Sequence, residues 1–246
     1  MERDDRNRRR RGGILHYLRF LPRDYEFVTR SHLRSLLTDA SVPKRYREGH
    51  LAPILLLPGV YESWRLLRWF ADALNDAGHP VVVVPGLAHN RRPIADTALT
   101  AQAILDAHDL RGVLILAHSK GGIIGKTMML DTDRGGRIDR MVAVNSPFSG
   151  SRMARFVPTS GFRPFLPSDP ALARLSGLVD VNARITSVYA DFDGHVPEGS
   201  HLPGARNVRV PIDGHFQLLG HAAGRAAVLA ALATAGPADP QPTISA

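Results

Sequence analysis

The chain contains no cysteine, which removes disulfides, thiolate metal sites and a cysteine nucleophile from consideration. The absence fits a reducing compartment, and the expected location is cytoplasmic, with a membrane-peripheral association as the alternative. Long apolar runs are also missing. Runs such as Val81–Val84 and Val113–Ala117 are strand-sized, and none approaches the roughly 20 residues a spanning helix needs. Aromatic residues are only 7% of the chain, and none interleaves the Arg8–Arg11 run as a stacking platform for nucleic acid would require. The stretch Gly12–Leu21 is broken by His16 and Arg19 and lacks a small-residue cleavage site, so it does not read as a secretory signal. No pair of histidines has the HExxH spacing of a zinc hydrolase. The expectation is that neither a metal nor an organic cofactor is used.

What is present is an ordinary globular balance: 246 residues, 44% hydrophobic and 22% charged, enough for one well-packed domain. The net charge of +8 is concentrated, because residues 1–48 hold 13 Lys and Arg against 7 Asp and Glu. Residues 1–48 read as a basic N-terminal extension, with 1–12 a disordered tail. Within 13–48, Leu33, Leu36 and Leu37 share one helical face. Docking onto the chain's own domain is the expected role, with weak contact to an anionic membrane as the alternative and no specific nucleic-acid binding. Residues 49–235 form the main domain, and 236–246 read as a disordered tail rich in proline.

From residue 53 strand and helix signals alternate. Ile54–Leu57, Pro80–Val84, Val113–Ala117, Met141–Asn145, Arg184–Tyr189 and Asn207–Pro211 read as six strands. Between them, Trp64–Ala77, Ile94–Leu110 and Gly121–Leu130 read as helices, and His215–Ala233 as a continuous final helix. Strands apolar on both faces, each followed by a helix, predict a mostly parallel sheet covered on both sides. In such sheets reactive groups gather beyond the carboxyl ends of the strands.

After the third strand the chain reads Ala117-His118-Ser119-Lys120-Gly121-Gly122. A serine between small residues at a strand-to-helix turn has the form of a nucleophile elbow, with alanine where glycine is usual. A hydroxyl needs a base, and His215 follows the sixth strand; His221, six residues on, is the rival. The base needs a carboxylate to hold its tautomer. After the fifth strand Asp193 is preferred over Asp191, because a turn and a Val-Pro step follow it, and Asp213 reads as a turn residue. An oxyanion hole needs two backbone amides. Lys120 supplies one, and the turn Pro58-Gly59-Val60-Tyr61 the other, from Val60 or alternatively Tyr61. The Lys120 ammonium either lies near the mouth, favouring anionic substrates, or points to solvent.

With these residues in place, the sequence resembles the α/β-hydrolases. Its elbow is similar to that of small Bacillus-type lipases and of actinobacterial lipase-like hydrolases with an Ala-His-Ser-Lys-Gly-Gly elbow. The segments Asn145–Ser151, Asp193–Pro197, Leu202–Val208 and Gly214–Leu219 carry the resemblance over residues 53–232. It implies an α/β-hydrolase fold of about six strands and a Ser119–His215–Asp193 triad that cleaves carboxylic esters or lipids through an acyl-enzyme. The same triad would serve a thioesterase, an amidase or an acyltransferase, and a non-catalytic binding protein on this fold is the reading from another class. Residues 147–183 would then lie over the site as a cap, with Phe156, Phe162, Phe165 and Leu166 candidates for an acyl pocket.

Overall fold

The computed structural model describes residues 22–30, 41–157, 159 and 161–233. The sequence expectations for residues 1–12, for Leu33, Leu36 and Leu37, and for the tail 236–246 lie outside the described residues.

Six strands form one sheet: β1 (Ile54–Leu57), β2 (Val81–Val83), β3 (Val113–His118), β4 (Ile138–Val144), β5 (Ile185–Phe192) and β6 (Arg206–Asp213). Their order is β2-β1-β3-β4-β5-β6, and every pairing is parallel. Successive side chains of a strand point to opposite faces, and the core divides accordingly. On one face Leu55, Leu57, Ile115, Ala117, Met141 and Ala143 pack with Ala98, Ala101 and Leu105 of α3 (Ile94–Ala107) and with Ile124 of α4 (Lys120–Thr127). On the other, Ile54, Leu56, Leu114, Leu116, Val142 and Val144 pack with Phe70, Ala71 and Leu74 of α2 (Arg68–Asp76) and with Val228, Ala231 and Leu232 of α7 (Ala222–Ala233). Burial on both faces explains why these strands read as continuous apolar runs.

Two expectations are modified. The final helix is interrupted: α6 (Gln217–Gly220) ends at His221, which takes extended dihedrals, before α7 begins. His215 therefore lies in the loop before α6. Residues 147–183 are folded into short turns at Arg152–Phe156 and Arg163–Phe165 and a helix, α5 (Pro170–Gly177), which starts at an Asp169 cap accepting from Ala171 and Leu172. This segment has its own small core, in which Ala154, Phe165, Leu172 and Leu175 close on Ile123 of α4.

The chain runs from β1 outward to β2 and then back across to β3, so the connections change direction at β1 and β3. A crevice opens at such a point beyond the carboxyl ends of the strands. Residues 22–30 form a helix, α1, which packs beside the loop between β6 and α6.

Candidate active site

Ser119 stands between β3 and α4 with φ 51° and ψ −119°, backbone space that L-residues rarely occupy. Its amide donates to the Val144 carbonyl at 2.9 Å. The turn is tight because Gly121 meets β1: a Cβ there would lie 1.9 Å from the Leu57 carbonyl oxygen. Lys120 is the first residue of α4, so its N–H has no acceptor within the helix.

The loop after β5 supplies a carboxylate. Asp193 Oδ1 accepts the amides of His195 (2.8 Å) and Val196 (3.1 Å), which aims Oδ2 at His215 Nδ1, 2.6 Å away. A carboxylate oxygen only accepts, so Nδ1 carries the proton and Nε2 is left as the basic nitrogen. Burial opposes charge on His215, but Asp193 outweighs it, with smaller help from Asp24 and Glu62, and holds the imidazole pKa above the ordinary value. Burial also works against the Asp193 carboxylate, and the neighbouring His215, His195 and backbone N–H overcome it, leaving that pKa below the usual carboxylate range.

The rival residues lie elsewhere. Asp191 pairs with Arg209 across the edge of the sheet. His221 is exposed, and its Nδ1 accepts the Ala223 amide at the start of α7.

The turn after β1 is strapped down from several sides. Asn90 Nδ2 donates to the Pro58 carbonyl at 2.6 Å, and the Gly59 amide donates to Glu62 Oε2 at 2.6 Å. The Tyr61 amide donates to the His89 carbonyl at 2.6 Å, so it is committed. Among the described residues nothing accepts from the Val60 amide, and Val60 borders the same cavity as Ser119. The Lys120 side chain follows neither alternative drawn from sequence. It is buried, and Nζ donates to the carbonyls of Asn90 (2.8 Å) and Arg92 (2.6 Å). Burial without an acid partner lowers its pKa to about 8. The ammonium thus ties α4 to the loop that holds the turn after β1.

A cavity of about 390 Å³ lies over these groups. Ser119 and His215 face it at one end; Val60, Tyr61, Met153, Ala154, Phe156, Val157, Phe162, Phe165 and Phe216 make its wall largely apolar. Of the four residues expected in an acyl pocket, Phe156, Phe162 and Phe165 line it, while Leu166 packs instead against the small core behind. Phe156 is 62% exposed and stands at the rim. Tyr25 and Val28 of α1 complete the lining.

Several buried groups here were not singled out from sequence. His118 sits below Ser119 with Nδ1 2.9 Å from both Glu62 oxygens and Nε2 3.2 Å from the His215 carbonyl. Asn145, at the end of β4, donates to that same carbonyl at 2.8 Å and accepts the Ala190 amide at 2.9 Å. Asp24 is completely buried. His195 lies over His215, with ring centres 5.0 Å apart, and burial lowers its pKa to about 4. His118 lies inside the elbow motif, Asn145 opens the segment Asn145–Ser151 and His195 falls within Asp193–Pro197, but nothing in those motifs marks their roles, and Asp24 carries no signal at all. Asp193, His195 and His215 offer ligand atoms within 4.8 Å of one another. A cation there would have to compete with the His215 proton at Oδ2 and two amides at Oδ1.

No protein-family model matches the chain, and neither does any curated protein. Solved structures do. An extracellular α/β-hydrolase from a Paenibacillus species, described as homologous in structure and function to tobacco salicylic acid binding protein 2, superposes with a TM-score of 0.53 at 17% identity, covering 74% of this chain and 98% of that one. The mature form of a Bacillus licheniformis lipase gives 0.54 at 14% identity, covering 69% and 87%. A structure from the Thaumarchaeon Nitrososphaera gargenis, from work on its carboxylesterases, gives 0.53 at 12% identity, covering 74% and 90%. At these identities the likeness is one of architecture: this chain has the α/β-hydrolase fold.

Proposed function

We propose that the chain is a serine hydrolase that cleaves carboxylic esters with apolar acyl groups through an acyl-enzyme on Ser119. The observation that carries the reading is the 2.6 Å Asp193–His215 pair opening onto the same apolar cavity as a serine held in strained backbone. Asp193 fixes the Nδ1–H tautomer, so His215 Nε2 accepts the Ser119 proton as Oγ attacks the ester carbonyl. The amides of Lys120 and Val60 receive the negative charge on the carbonyl oxygen. As the tetrahedral adduct collapses, the C–O bond to the alcohol breaks and His215 protonates the leaving oxygen. Water then attacks the acyl-enzyme, His215 takes its proton, and Ser119 leaves with that proton as the acid is released. Each half-reaction returns the base to its starting state, so no other reactant is needed. The cavity volume falls within the range of small-molecule sites, and its aromatic wall suits an acyl chain or ring.

The test is hydrolysis of p-nitrophenyl esters from acetate to palmitate by wild type and Ser119→Ala. Turnover that falls on the order of 10⁶-fold in the variant supports the reading. A folded wild type that leaves every ester intact, or a Ser119→Ala protein that retains the rate, overturns it.

A further inference from the structure

Asp24 is a carboxylate with no accessible surface, carried on α1 and separated by 191 residues from the loop it touches. Its Oδ2 accepts the amide of His215 at 3.0 Å; its Oδ1 accepts those of Phe216 (2.7 Å) and Gln217 (3.1 Å). These are the free N–H groups at the start of α6, whose own N-cap residue, Phe216, offers no side-chain acceptor. The loop is shaped to admit the carboxylate. Gly214 has φ 121°, and a Cβ there would lie 2.8 Å from Asp24 Oδ1. Gln217 Nε2 donates to the Arg23 carbonyl at 2.5 Å, and the ring of Phe27 occupies the space a Cβ on Gly220 would take.

Burial raises the Asp24 pKa, and His215 and the amides of Phe216 and His215 only partly offset this. A buried carboxylate held against its own desolvation is a poor choice for stability alone. Its position accounts for it. The charged and titratable groups around His215 are Asp193 and His195 after β5, His118 at the end of β3, Glu62 after β1, and Asp24 on α1. Asp24 is the one that accepts the His215 amide, while His118 contacts the His215 carbonyl.

We propose that Asp24 is a positioning residue of the active site: it fixes the backbone of His215, and its negative charge favours the imidazolium formed during acyl transfer. The helix α1 is thereby part of the catalytic machinery, since Tyr25 and Val28, beside Asp24, line the cavity. The inference rests on the assignment of His215 as the base.

The experiment uses full-length wild type, Asp24→Asn and Asp24→Ala. Asparagine keeps the volume and removes the charge; its Oδ1 still accepts from Phe216 and Gln217, while its Nδ2 donates and gives up the His215 amide, so the fold of the variant is checked against wild type by circular dichroism. The His215 imidazole is titrated by nitrogen-15 NMR, which needs no substrate, and kcat and KM for a p-nitrophenyl ester are followed against pH. Asp24→Asn should move the His215 titration and the acidic limb of kcat/KM to lower pH, and lower kcat with little change in KM. Asp24→Ala should lose roughly 10- to 100-fold in kcat/KM through displacement of the base. A His215 titration and a kcat in Asp24→Asn equal to wild type overturn the proposal. If the titration shifts while no ester is cleaved by wild type, the positioning role stands and the ester reading falls. If esters are cleaved and the titration does not move, the reverse holds.

Discussion

Ser119, the proposed nucleophile, sits in a backbone conformation that serine does not favour. Residues held in such regions cost about 1–3 kcal/mol each, and the surrounding structure must enforce them. Glycine tolerates positive φ freely, at an entropic cost of roughly 0.5–1 kcal/mol in the unfolded chain. Ser119→Gly should therefore abolish hydrolysis and raise stability by about 1–2 kcal/mol, read as a higher thermal midpoint. A lower midpoint would show that the turn is not strained. At this scale the sequence was informative about residues that end strands and uninformative about where long side chains go. Ser119, Asp193 and His215 each follow a strand that apolar patterning locates. The Lys120 ammonium turned under its own helix to two carbonyls, because an elbow motif fixes the backbone and says nothing of the path of a four-carbon side chain. Asp24 was hidden for another reason: docking of its segment onto the domain was expected, but no spacing marks which side chain enters the interior.

Helix α4, which follows Ser119, lies almost on the β1 backbone, and Gly121 makes that approach possible. A Cβ at 1.9 Å from the Leu57 carbonyl oxygen meets backbone, which cannot swing aside. Gly121→Ala should lower stability by at least about 3 kcal/mol, at or beyond the upper end for an overpacked core. The control is Gly135→Ala, whose Cβ would find only Arg137 at 3.7 Å and should stay within about 0.5 kcal/mol of wild type. Denaturant midpoints of the two variants make the comparison, and equal midpoints would contradict the close packing. The strands and the first helices were legible because burial on both faces leaves a plain apolar signature. The break at His221 was not. The alanines after it suggest one unbroken helix, but the chain turns at His221 and Gly224 lets the first turn of α7 approach the Leu218 carbonyl of α6, where a Cβ would lie 2.1 Å away.

Across the whole molecule, ionisable groups from α1, β3 and the loops after β1, β5 and β6 converge in one cluster, which gives the protein a defined response to pH. In the proposed mechanism His215 must be neutral to accept the Ser119 proton. Since Asp193 holds the His215 pKa above 6.5, kcat/KM should rise with pH through a limb centred above that value. His195, at about 4, stays neutral throughout and does not contribute to that limb. The two histidines act oppositely on folding. The depressed His195 stabilises the fold above pH 6.5 and loses that contribution as pH falls towards about 4. The raised His215 contributes fully below 6.5 and loses its contribution as pH rises through its folded value. A pH–rate profile with its limb below 6.5 would contradict the Asp193 assignment. No described helix is long and apolar enough to cross a membrane.

We propose Ser119 as the activated nucleophile. A fluorophosphonate traps such a serine irreversibly, and intact mass followed by peptide mapping shows where it bound. The account predicts one adduct per chain, located on Ser119 and lost in both Ser119→Ala and His215→Ala. A folded wild type that takes up no label, or a label found on another residue, would contradict it.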